Sequence, residues 1–257
     1  MKSFLKHTCI ILFFVLTSFS GKIDKKVNIV FIGDSITEGG ALLNPKTEAT
    51  PLYVAELLKQ SKGIDSVRVS NRGFSGHTTV DFLPKSNTDF PKVLQEADVF
   101  AEDKTAALVF SIMLGTNDSA IFGPNGAPVR AEQYHDNLNT VISTLIKRYP
   151  HALFVIQYPL WYSPNTHNNA GYMKEGLDRL ISYFAQIDRL QAEYNNSNPN
   201  KVYVGDKTVF RFFEKNHATL FKPELGKHGT FYLHPNADGS KALAKFWVKG
   251  ILKAIDQ

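Results

Sequence analysis

Cysteine is nearly missing from this sequence: one residue in 257, Cys9. A disulfide scaffold is therefore excluded. Proline (12) and glycine (17) are too few and too scattered for a collagen or a low-complexity tail. Charge of one sign is concentrated nowhere. Lys and Arg number 29 against 24 Asp and Glu, a net +5, yet no five like charges adjoin. No basic stripe is interleaved with stacking aromatics, so no nucleic-acid partner is expected. No apolar run of membrane length follows the N-terminal segment. What remains is an ordinary globular composition, 43% hydrophobic and 21% charged. A single domain of this length buries roughly three quarters of its unfolded surface, so neither a metal nor a disulfide staple is required.

The first twenty residues have their own pattern. Lys2 and Lys6 lead into the apolar run Cys9 to Leu16, and Ser18-Phe19-Ser20 sets small residues before a cut at Gly21. This is the pattern of a signal peptide over residues 1–20. The apolar run is well short of the ~20 residues a spanning helix needs. Cleavage would remove Cys9, and a secreted chain without disulfides suits a bacterial periplasm. Residues 21–257 are then expected to form one domain, secreted or periplasmic, without membrane contact in its mature form.

Within that domain the apolar period alternates between strand and helix. Val27 to Ile32 is a nearly continuous apolar run before Gly33, which reads as a buried strand. Leu52 to Lys59 has helical spacing behind Pro51. Ser66 to Ser70 alternates, Ala106 to Met113 and Ala152 to Gln157 read as buried strands, and Lys201 to Val204 as a short one. Ala131 to Tyr149, Tyr172 to Tyr194 and Ala237 to Ile255 carry apolar residues at helical spacing. Such an alternation predicts parallel strands with helices on both faces. Irregular stretches are expected at 39–50, 72–91, 114–130, 159–171 and 206–233. The first four follow strands, so they gather at the carboxyl edge of the sheet, where open α/β sheets bind ligands.

Residues with chemistry sit at those strand ends. Gly33-Asp34-Ser35 closes the first strand and holds a serine where a nucleophile should stand. Asn71-Arg72-Gly73-Phe74-Ser75-Gly76 closes the second, with glycines that let backbone approach a ligand. Gly115-Thr116-Asn117-Asp118 closes the third and offers a side-chain amide. His234-Pro235-Asn236 stands at the head of the last helix. His217, His228 and His234 have spacings that fit no metal-ligand pattern, so no metal and no cofactor are expected.

In order and spacing, these four blocks resemble the SGNH (GDSL-type) serine hydrolases over essentially the whole mature chain. The resemblance implies a flavodoxin-like three-layer α/β/α sandwich with a central parallel five-stranded sheet. It implies Ser35 as nucleophile and His234 as general base. It implies an oxyanion hole from the Ser35 and Gly73 N–H groups and the Asn117 amide. One position departs from the pattern. The family usually has Asp three residues before the histidine, where this chain has Phe231. A backbone carbonyl, or an acid elsewhere, must then orient the imidazole; Glu224 and Asp206 are the acids to inspect. His77, Trp161 and Tyr162 are candidate substrate contacts, the last two as a sugar-stacking wall.

Gly33–Thr37, Gly115–Ser119 and His234–Gly239 are similar to the bacterial carbohydrate or sialate O-acetylesterase branch of that family. The expected activity is hydrolysis of a small-molecule or glycan ester through an acyl-Ser35 intermediate. The rivals are a lysophospholipase, a short-chain acyl esterase or thioesterase, a sugar O-acetyltransferase and a non-catalytic glycan-binding module.

Overall fold

The computed structural model describes residues 24–256. The expected signal segment lies outside the described residues. From the N-terminus run strand β1 (Lys25–Gly33), short helices α1 (Ser35–Glu38) and α2 (Pro45–Glu48), helix α3 (Thr50–Lys59) and strand β2 (Ile64–Gly73). Helix α4 (Phe90–Ala101), β3 (Ala106–Met113), α5 (Ala131–Arg148), β4 (Leu153–Ile156), α6 (Met173–Ser197) and β5 (Val202–Val204) follow. The chain then forms α7 (Val209–Lys215), α8 (His217–Leu220), β6 (Phe221–Gly226), β7 (Gly229–Pro235) and α9 (Ala237–Ile255).

β1 to β5 form one parallel sheet in the order β2-β1-β3-β4-β5. This is the flavodoxin-like order of the expectation. The chain leaves β1 toward one edge to make β2, then returns across β1 to make β3. With right-handed crossovers that reversal puts α3 on one face and α4, α5 and α6 on the other. The switch point lies between β1 and β3, so the loops after those two strands border the same crevice.

β1 is an interior strand between β2 and β3, and its residues Val27 to Gly33 are all buried. Phe31 stacks on Trp247 of α9 (centroids 5.5 Å apart), and Phe110 of β3 stacks on Phe154 of β4 (5.2 Å). Each large apolar side chain buried this way contributes roughly 1.5–3 kcal/mol. Among the described residues no helix is long and apolar enough to cross a membrane.

Three expected irregular stretches hold regular structure, the first being 39–50 with α2. α4 begins at Phe90, inside the stretch expected to run to Pro91. Pro91 sits in the first turn, where a missing N–H costs nothing, and Phe90, Val93, Ala97 and Phe100 form the buried stripe. Residues 206–233 hold α7, α8 and most of the β6–β7 antiparallel hairpin. β6 is exposed along much of its length and contains Pro223, which hides a strand from any search for apolar alternation.

Candidate active site

β1 delivers the serine. Asp34 caps α1, its Oδ1 accepting the Ile36 N–H at 2.9 Å, so Ser35 occupies the first helical position at the carboxyl end of β1. Gly33 has no alternative at that bend, because a Cβ there would lie 2.0 Å from Thr37 Oγ1. Ser35 Oγ is 2.9 Å from His234 Nε2, and His234 Nδ1 is 2.8 Å from Glu224 Oε1. A carboxylate only accepts. Nδ1 therefore carries the proton, and Nε2 is left to accept from the serine hydroxyl.

The hairpin explains how an acid reaches the imidazole without the family's aspartate. Glu224 on β6 is the cross-strand partner of Phe231 on β7, the position left without an acid. Tyr232 pairs with Pro223 and Pro235 with Phe221, so β7 fits one more residue than β6 into that interval. Such bulges re-aim side chains. Phe231 points into the core, 1% exposed, while Glu224 reaches His234 from the opposite strand. Asp206 is a correction to the expectation. Its Oδ1 accepts the Thr208 N–H and its Oδ2 pairs with Lys249 at 3.0 Å, tying α7 to α9 instead of facing His234.

Gly73 is a second correction. Its N–H donates to Asn71 Oδ1 at 2.9 Å, and Gly73 is the last residue of β2, in register with Gly33. That donor is already committed. Asn71 Nδ2 in turn donates to the Thr37 carbonyl at 2.8 Å, binding the β2 end to α1. Three residues on, Gly76 turns left-handed (φ 80°) and lines the same cleft as Ser35, Asn117 and His234. Neither the Gly76 N–H nor the Ser35 N–H has an acceptor among the described residues. Asn117 is nearly buried, and one Nδ2 hydrogen bonds the His77 carbonyl at 2.9 Å. Asp118 behind it accepts from the Thr79 N–H (3.0 Å), which braces the loop after β3 against the loop after β2. Burial pushes the Asp118 carboxyl up to about 7, with the Thr79 hydrogen bonds pulling the other way.

Comparison with known proteins bears on this geometry. A family model for GDSL-like lipases and acylhydrolases matches residues 31–242. The chain belongs to the GDSL-like lipase/acylhydrolase family. It is accordingly a carboxylic ester hydrolase. Among solved structures it is similar to an acetylxylan esterase from Geobacillus stearothermophilus. The identity is 23%, covering 92% of this chain and 97% of that one, with a TM-score of 0.55. An α/β hydrolase from the metagenome of Lake Arreo, Spain, is similar at 20% identity, covering 91% of this chain and 96% of that one, with a TM-score of 0.58. No curated protein matches the chain.

The acylhydrolase cleft has a volume of about 650 Å³ and walls that are polar and apolar in nearly equal part. Asn125, Asn168, Asn169, Ser75, His77 and Lys222 are among the residues that line it. Of the three candidate substrate contacts, only His77 lines it. The His77 Nδ1 bonds the fully buried Asp89 carboxylate, which also pairs with Lys92 at 3.1 Å. His77 is thus held, not a freely solvated loop residue. Trp161 and Tyr162 are corrections. Trp161 is 8% exposed and packs on His217 and Phe221; Tyr162 is fully buried, with its hydroxyl 2.9 Å from Ser119 Oγ. Neither lines the cleft, so they form no sugar-stacking wall. Sequence reasoning also missed Gly76 and Tyr172. Gly76 stands in the block already singled out; Tyr172 was hidden as the first residue of a predicted helix.

Asp34 gives the family member a pH-dependent weakness. The side chain is fully buried, and burial pushes its pKa up to about 6 against the hydrogen bond from Ile36. Its Oδ2 has no hydrogen-bond partner among the described residues. A carboxyl whose folded pKa is raised holds its proton better folded than unfolded. Stability therefore falls as pH rises from about 4 through about 6. Asp34→Asn keeps an oxygen for the Ile36 N–H and removes the charge. The variant should gain about 1–3 kcal/mol at pH 8 and only a few tenths at pH 4. Urea unfolding at both pH values checks this; an equal change at the two would remove the account.

Proposed function

We propose that this acylhydrolase is a secreted carbohydrate O-acetylesterase. Residues 1–20 are read as its signal peptide and 21–257 as a single catalytic domain, exported to a bacterial periplasm or beyond. Ser35 Oγ attacks the ester carbonyl carbon and passes its proton to His234 Nε2. Glu224 holds the imidazole in the required tautomer and faces the imidazolium that forms. The oxyanion meets the N–H groups of Ser35 and Gly76 and the second Nδ2 hydrogen of Asn117. As the C–O bond to the sugar breaks, His234 gives the proton to the departing sugar oxygen, which leaves as a hydroxyl. A water attacks the acyl-serine with His234 again as base, acetate leaves, and Ser35 is regenerated.

The observation that carries the substrate class is the wall of the cleft. Side-chain amides from Asn125, Asn168 and Asn169 suit a polyhydroxylated alcohol better than an acyl chain. A second reading, a longer-chain acyl esterase, lysophospholipase or thioesterase, has one feature in its favour. A pocket of about 400 Å³ beside α1 is lined by Pro45, Leu52 and Phe74. The test is a chain-length series of 4-nitrophenyl acetate, butyrate and octanoate, with acetate release from acetylated xylan and acetylated sialosides alongside. The proposed reading expects kcat/KM to fall at least about tenfold from acetate to octanoate, since the side-chain amides on the wall gain nothing per added methylene. A preference for octanoate favours the second reading and rejects the first.

A further inference from the structure

One amide in the site is held from both ends. Asn117 Nδ2 lies 2.9 Å from the His77 carbonyl, and Asn117 Oδ1 lies 2.7 Å from the Tyr172 hydroxyl. A backbone carbonyl only accepts, so the nitrogen must face His77 and the oxygen must face Tyr172. The phenol is therefore the donor. Three chain segments meet on this side chain: the loop after β2, the loop after β3 and the head of α6.

Tyr172 is built into its place. It is 3% exposed, and its ring meets Tyr162 edge-on at 5.3 Å. Its N–H donates to the Thr166 carbonyl (3.1 Å), and its carbonyl accepts from the Gly176 N–H (2.8 Å). The next residue, Met173, takes a left-handed backbone (φ 54°), which residues with a Cβ seldom adopt. Strain of that kind clusters where a side chain must be aimed. Burial holds the phenol pKa well above its ordinary value, so the proton to be donated is present throughout the neutral range.

We propose that Tyr172 is a positioning residue for ester hydrolysis, its hydroxyl fixing and polarising the Asn117 amide so that the free Nδ2 hydrogen meets the oxyanion. This rests on the reading of Asn117 as an oxyanion donor. A hydrogen bond accepted at Oδ1 draws electron density from the amide and makes Nδ2–H a stronger donor. That donor is needed only as charge develops on the ester oxygen. The effect belongs in kcat and not in substrate binding.

The experiment is a double-mutant cycle on the full chain, with 4-nitrophenyl acetate and thermal midpoints recorded for each variant. Tyr172→Phe keeps the ring and removes only the hydroxyl. It is expected to lower kcat about tenfold with KM within about twofold, a fraction of the 10²–10³ that a lost oxyanion donor costs. In an Asn117→Ala background the same change should alter kcat less than about twofold. Asn117→Ser serves the same cycle should the alanine variant fold poorly. An unchanged kcat in Tyr172→Phe overturns the proposal, as does an equal loss in both backgrounds, which marks a merely structural role. If Asn117→Ala alone retains full kcat, the oxyanion reading of Asn117 fails first and takes the proposal with it.

Discussion

Ser35→Ala should lower kcat for 4-nitrophenyl acetate by at least about 10⁴-fold while leaving the fold intact. Without the hydroxyl no acyl-enzyme forms, and His234 is left as a base with nothing of the protein to deprotonate. Loss of the serine in unrelated serine hydrolases costs on the order of 10⁶ in kcat. What survives is the contribution of oxyanion donors and binding, about 10³–10⁴ over water. The stability change should be small. The only hydrogen bond that the Ser35 side chain makes among the described residues is to His234, and the deletion removes one oxygen from the edge of a cleft. Steady-state turnover beside a thermal midpoint checks both halves. Turnover within tenfold of the native protein would reject Ser35 as nucleophile. A native protein that hydrolyses none of the acetyl, butyryl or octanoyl esters would instead revive a binding role for the cleft.

Much of this molecule was legible before its structure. Buried parallel strands announce themselves as continuous apolar runs, and β1 and β3 are found where those runs stand. The serine, the amide and the histidine lie next to strand ends or a helix head, where local sequence and position in the fold coincide. The failures share a cause: each depended on a contact across the chain. Gly73 and Gly76 are three residues apart and equally plausible by type; the bond from Gly73 to Asn71 and the place of Gly76 in the cleft lining separate them. Trp161 and Tyr162 follow a strand, as substrate-facing aromatics often do, but the hairpin and α6 fold over them. His217 of α8 packs on Trp161 at an angle, and Gly176 of α6 lies against the Tyr162 hydroxyl. The partnership of Glu224 with His234 needed a strand pairing that apolar periodicity does not reveal, since Pro223 argues against a strand in β6 and Leu225 at its end is exposed.

That partnership leads to the other large effect. Glu224→Gln should lower kcat on the order of 10³-fold, whereas Asp206→Asn should stay within about twofold. The glutamine is nearly isosteric and its oxygen is still able to accept from Nδ1. What it lacks is the negative charge that faces the imidazolium in the transition state. Its amide also offers donors, and a donor turned toward Nδ1 selects the tautomer that leaves Nε2 protonated and useless as a base. Asp206 has neither task, because its oxygens hold Thr208 and Lys249. The acid has no route back to the family's usual position. Phe231 is buried against the hairpin, where an added carboxylate would lose its water without gaining a partner. Moving the acid one strand over keeps an apolar side chain in the core and a charge at the cleft wall. The proposed mechanism thus makes the hairpin part of the catalytic apparatus. Should Glu224→Gln retain more than about a tenth of native kcat with a native thermal midpoint, a neutral acceptor is sufficient and the charge of Glu224 has no catalytic part.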